Sequence, residues 1–224
     1  MEIIDENPKN TGFNPTAGES FGTAWKLLWN HFPVLLAIVI IYSLLSGPVS
    51  IFQYRYEHMN NIFFPGVFVI LFSVFITGPI GYSTSWVFLK AARGESYEIR
   101  DMFAVFERNY WNAVAANLVV GLIVVVGIFL LIVPGIIFAI RLAFVPYLIM
   151  DRKMELGEAL DASWQMTKGY GGEIFLMGIL AVLVVILGFI ALFVGVIISM
   201  IWIYLAVAIM YQAVSEAKGQ NLKV

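Results

Sequence analysis

The sequence has no cysteine and only two histidines among its 224 residues. Without cysteine there is no disulfide, no thiolate metal site and no thiol nucleophile. His31 and His58 stand apart from any HExxH-like spacing, so they define no metal site. Charge is also scarce: 12% of the residues are Asp, Glu, Lys or Arg, against about a quarter in soluble domains. The net charge of −2 lacks the basic excess of a nucleic-acid binder. No GxSxG, Walker-type or GxGxxG segment occurs, so hydrolase, nucleotide and dinucleotide functions have no motif to rest on. The expectation is a chain that is not an enzyme and takes no cofactor. Residues 1–31 lack the apolar core and small-residue exit of a cleavable signal, so the first apolar segment is expected to start insertion uncleaved.

Apolar residues fill the remainder, at 61% of the chain with a mean hydropathy of +0.88. A globule this apolar cannot cover itself with polar side chains, so part of its surface must face lipid. Lipid admits only helices and closed barrels, and these apolar runs do not alternate as barrel strands do. The fold class is therefore all-α, a polytopic membrane helical bundle.

The apolar runs give spans at 33–52, 65–89, 111–133 and from there to Met150. Gly47-Pro48 is expected to kink or end the first, and residues 53–61 read as a loop. Gly78-Pro79 is expected to break the second, and Pro134-Gly135 to form a tight turn between the third and fourth. Residues 174–214 carry no charge over about twice a span's length, so they fold back between Gly188 and Gly195. Six transmembrane helices in three hairpins result.

Lys and Arg fall on one side of this pattern, with Arg55 alone on the other and Arg141 embedded. Short basic loops stay in the cytoplasm, which places both termini there and the chain in a plasma (cytoplasmic) membrane. Residues 1–15 read as a disordered cytoplasmic tail and 16–224 as a single membrane domain.

A short amphipathic stretch precedes each hairpin. Phe21, Ala24, Trp25 and Leu28 share a helical spacing with Ile99, Met102, Phe103 and Phe106, and more loosely with Leu156, Leu160 and Trp164. Each is expected to lie in the interface with its apolar face in the acyl boundary. Glu19, Glu98 and Glu158 precede Asn30, Asn109 and Gly169 by one spacing, and these last residues suit left-handed caps. This pattern defines an internal repeat with units at about 18–91, 97–152 and 155–216.

The run VPGIIFAIRLAFVPYLIMDRKMELGEALDASWQMTKG resembles a loose superfamily of prokaryotic integral membrane proteins. That superfamily includes uncharacterised families and the membrane domain of some glycerophosphodiester phosphodiesterases. Pro134-Gly135, Arg141, Pro146, Glu158-Ala159-Leu160, Ser163 and Lys168-Gly169 carry the likeness, and TAWKLLWNHFPVLL is similar to the superfamily's start. The resemblance implies a six-span membrane domain. It does not bring the phosphodiesterase activity, which belongs to a separate soluble domain for which no room is expected after Val224.

Arg141 is the sharpest candidate site, because an intramembrane charge is costly and no carboxylate lies inside a span. A structural role is favoured over anion binding: the side chain snorkels to the outer headgroups or donates to carbonyls freed at Gly78-Pro79. Asn117 and the cluster Tyr82, Ser83, Thr84 and Ser85 either line a polar cavity or serve interhelical packing, with packing preferred. Asp151, Glu155, Glu158, Asp161 and Glu173 form an acidic patch read as a solvated face rather than a metal or catalytic site.

These features point to a non-catalytic scaffold or regulatory helper for envelope or lipid processes, with membrane lipids and a membrane protein as partners and no nucleic acid. The alternative is a small transporter or lipid-handling protein, in which Arg141 faces a lipid phosphate.

Overall fold

A computed structural model describes residues 12–56 and 63–219, and among these no strand occurs. Helix α1 spans Ala17–Asn30 and turns through 100° into α2, Phe32–Tyr56. Helix α3, Phe63–Phe72, leads through a π-helical turn, Ser73–Thr77, into α4, Gly78–Arg93. A 3₁₀ helix, Ile99–Phe106, precedes α5, Tyr110–Leu130, and α6, Ile132–Arg141. Then come α7, Val145–Asp151; α8, Leu156–Thr167; α9, Gly171–Ile190; and α10, Leu192–Lys218. Five stretches among the described residues are long and apolar enough to cross a membrane: Gly66–Arg93, Tyr110–Leu130, Ile132–Asp151, Gly171–Ile190 and Gly195–Lys218. The bent pair of α1 and the start of α2 passes the same test only when taken together.

The packing is uneven along the bundle. Val87, Phe88 and Leu89 of α4, Leu148 and Ile149 of α7, and Leu205 to Val214 of α10 build a dense core at the end where α4, α7 and α10 terminate. At the opposite end the closures of α5–α6 and α9–α10 stay open, with Phe129 89% and Ile190 74% exposed. In water such exposed apolar side chains would be unfavourable, whereas lipid is their natural solvent.

Several local expectations change. The α2 helix is not ended at Gly47-Pro48 but runs to Tyr56; the rest of the expected 53–61 loop, and residues 1–11 of the expected tail, lie outside the described residues. The turn between α5 and α6 is the extended Leu131, and Pro134-Gly135 sits inside the first turn of α6. Pro suits that turn because the N–H it lacks has no helical acceptor there. Gly135 is needed for closeness: a Cβ there would lie 2.6 Å from the Ile128 nitrogen. The second fold-back turns at Ala191, between Gly188 and Gly195.

The amphipathic elements also differ from their pattern. The apolar stripe of α1 (Phe21, Ala24 and Leu28) is buried against the bundle rather than in the acyl boundary, and Trp202 Nε1 donates to the Phe21 carbonyl at 2.8 Å. Helix α8 packs through Ala159, Ala162, Ser163 and Met166, leaving Trp164 42% exposed. The middle element is a 3₁₀ helix, whose rise of about 2.0 Å per residue outruns the α-helical 1.5 Å. That excess moves its start relative to the others: Glu98 is an N-cap, whereas Glu19 and Glu158 stand three residues beyond the caps Thr16 and Glu155. Asn109 and Gly169 adopt the left-handed region at φ 51° and 96°. Asn30 does not; it is the last helical residue of α1, followed by His31 at φ −119°.

Candidate functional site

Two prolines interrupt the spans, and each leaves a carbonyl that a neighbouring helix serves. Pro79 has no N–H for the carbonyl four residues before it. That carbonyl, of Phe75, accepts a hydrogen bond from the Tyr110 hydroxyl at 2.9 Å. The Gly78-Pro79 break is thus absorbed by a π turn and α4 continues from it, with Asn117 filling the space beside Gly78 that a Cβ would need. Pro146 forces the second interruption, at Leu142–Phe144 between α6 and α7. Buried Ser163 repairs it from α8: its hydroxyl donates to the Arg141 carbonyl at 2.7 Å and accepts from the Phe144 N–H at 3.3 Å.

The polar cluster on α4 is divided among neighbours. Ser83 accepts from the Val105 N–H at 2.8 Å, fixing the 3₁₀ helix on α4, while Thr84 and Ser85 donate to the carbonyls of Ile80 and Gly81. Tyr82 is buried.

At the dense end lies a network that the sequence does not advertise. Arg93 of α4 grips Asp151 of α7 with two hydrogen bonds, of 2.5 and 2.8 Å. Its Nε donates to Gln212 of α10 at 2.6 Å, and the Tyr211 hydroxyl donates to Asp151 at 3.1 Å. Gln212 in turn donates to Glu216, and Arg152 to the Ser215 hydroxyl. The fork of a guanidinium matches a carboxylate, so this pair holds three helices in one relative position.

The acidic patch is largely consumed in the same way. Glu155 and Glu158 form the capping box of α8, and Glu173 accepts the Ala17 N–H at 2.8 Å, closing the start of α1 from 156 residues away. No cluster of His, Asp or Glu suited to a metal occurs among the described residues. Outside the spans, burial raises the Asp101 carboxyl's pKa, but the Lys90 ammonium at 2.9 Å and the Glu98 N–H outweigh it and leave the group below its ordinary value. Burial pushes the Tyr97 phenol up to about 12.

Arg141 is the last residue of α6. Its side chain turns toward α8, lying 5.5 Å from the centre of the Trp164 ring, and Tyr110 rather than Arg141 serves the Pro79 break. Its Nη1 is buried without a hydrogen-bond partner. Lys168 and Lys218 stand close enough for Lys168 and Arg141 to act electrostatically on the Lys218 ammonium. Lys218 donates to the carbonyls of Gln165 and Lys168, at 2.5 and 2.6 Å. No ion pair joins Arg141, Lys168 or Lys218 to a carboxylate among the described residues.

Beside this corner runs an apolar groove of about 440 Å³ between α6 and α9, with Val207 of α10 among its lining residues. It is lined by Ile136 and Ile140 on one side and Ile174, Met177 and Gly178 on the other. Ile140 and Ala143, on either side of Arg141 in sequence, both line the groove, which places it next to the basic corner. Sequence reasoning singled out Arg141 but missed its companions, because lysines in the basic segments read only as topology signals.

Comparison with family models, curated proteins and solved structures finds no match.

Proposed function

We propose that the chain is a non-catalytic, six-span module of a prokaryotic plasma membrane, built from three hairpins, that acts as a scaffold or helper in envelope or lipid processes. The observation that carries this reading is a division of labour at the dense end. The Arg93–Asp151 network and the capping carboxylates spend their charge on holding helices together. The aromatic side chains around them (Trp25, Trp29, Phe103, Phe106, Trp111 and Trp164) remain exposed. Tryptophan rings favour the headgroup level, and aromatic side chains in general favour the faces of partner proteins. The likeness of 133–168 to the six-span superfamily supports the same reading.

Photo-crosslinkers placed at Trp29, Phe106 and Trp164 in intact cells test it. Adducts with lipid and with one recurring membrane protein are expected. Absence of both, or turnover of a lipid by the purified protein, overturns the proposal. The groove between α6 and α9 favours lipid handling as the second reading.

A further inference from the structure

The geometry points to a binding site for one anionic phospholipid: its phosphate sits at the corner of Arg141, Lys168 and Lys218, and an acyl chain lies in the groove between α6 and α9. This deepens the lipid-handling reading and rests on the chain being a lipid-embedded module.

Three observations converge on this ligand. The first is uncompensated charge. A guanidinium held against a membrane span needs a partner, and here it has Trp164 and two like charges but no carboxylate. A phosphate satisfies all three cations at once, and it suits the planar donor fork of arginine. Lys218 spends two of its three donors on the end of α8, which fixes its ammonium at the corner.

The second is the shape and chemistry of the adjoining space. The groove is almost wholly apolar and lies between α6 and α9, which suits an acyl chain and not a hydrophilic solute. Its α9 wall runs from Ile174 to Val182, about 12 Å at the rise of an α-helix. The third is register: the groove-lining Ile140 and Ala143 flank Arg141 in sequence, so chain and headgroup meet their sites together. Gly178 leaves the wall flat, with nothing within 4 Å of where its Cβ would be.

The test uses the full chain, purified and delipidated in detergent, with retention of dioleoyl phosphatidylglycerol or dioleoyl phosphatidylcholine read by native mass spectrometry. Wild type should retain the anionic lipid on the order of a hundredfold more tightly, given roughly fivefold for each of the three basic side chains near the headgroup. Arg141→Gln should lose most of that preference, and Arg141→Lys should recover only part of it. Gly178→Leu should weaken both lipids by filling the groove, while a headgroup-only site would be indifferent to it. Glycerol phosphate or inorganic phosphate at millimolar concentration should not displace the lipid; displacement would show an anion site without a chain site and overturn the proposal.

Equal retention of the two lipids by wild type would overturn it, as would an undiminished preference in Arg141→Gln or an unchanged Gly178→Leu. Thermal unfolding of the delipidated variants separates loss of the site from loss of the fold. If Arg141→Gln melts well below wild type, Gly178→Leu carries the decision. Detergent binding does not depend on orientation or on protein partners, so it can succeed where the scaffold reading fails, and the reverse.

Discussion

Ser163 shows how much one hydroxyl can carry inside a membrane span. It answers both the Arg141 carbonyl and the Phe144 N–H across the break that Pro146 imposes. Ser163→Ala leaves the Phe144 N–H unpaired and the Arg141 carbonyl with only the Thr167 hydroxyl at 3.5 Å, at a cost of about 1–3 kcal/mol for each group left without a partner. Thermal unfolding in detergent should therefore fall clearly, whereas Thr84→Val should cost little, since the Thr84 hydroxyl returns its bond to its own helix at Ile80. Equal effects from the two would remove the bridging role. Outside the spans, the Asp101 carboxyl titrates below its usual value because of Lys90 and the Glu98 N–H. A depressed carboxylate contributes its stability in full above its unfolded value, about 3.9, and loses it as pH falls through the lower folded value. The stability difference between wild type and Asp101→Asn should be level from about pH 7 to 5 and shrink toward pH 3. A difference that grows on acidification would contradict the assignment.

At the scale of elements, what could be read from the sequence was set by lipid. Bilayer thickness demands long apolar runs, so Tyr110–Leu130 and Gly171–Ile190 lie close to where the hydropathy puts them. What could not be read is how helices answer one another across the bundle. Gly78-Pro79 looked like a break because proline removes a donor, but a π turn and Tyr110, more than thirty residues away, absorb it. The amphipathic stretches were legible as helices but not in the face they bury. In α8 the small residues Ala159 and Ala162 allow close packing, and the larger Trp164 is pushed to the rim.

The Arg93–Asp151 pair, 58 residues apart, leaves no periodic trace at all. Arg93 reads as a basic topology signal and Asp151 as part of a solvated acidic face, yet their side chains are only 14% and 12% exposed. Removing one charge strands the other in a low-dielectric setting. Asp151→Ala or Arg93→Ala should each cost about 3–5 kcal/mol, while the paired replacement Arg93→Met with Asp151→Leu should recover much of the loss. A double-mutant cycle of unfolding free energies measures the coupling, and strictly additive losses would mean that the pair does not tie α4 to α7.

For the whole molecule, the decisive asymmetry runs along the bundle axis. One end gathers the ion pairs, capping boxes and basic corner; the other consists of the exposed closures at Leu131 and Ala191. Basic residues in short segments are retained in the cytoplasm, so the charged end is expected inside. The absence of cysteine makes this directly testable, since every introduced thiol is unique. Glu95→Cys, Gly157→Cys and Ala217→Cys place thiols at the charged end, and Glu57→Cys lies between the first two apolar runs of the sequence. An impermeant maleimide added to intact cells should label position 57 alone; after permeabilisation all four should react. Labelling of 95 and 157 from outside would invert the molecule. Labelling of 57 and 217 on the same side, with 95 on the other, would leave an odd number of crossings between 95 and 217. That outcome would reduce one of the four later stretches to a segment that enters the bilayer without crossing it.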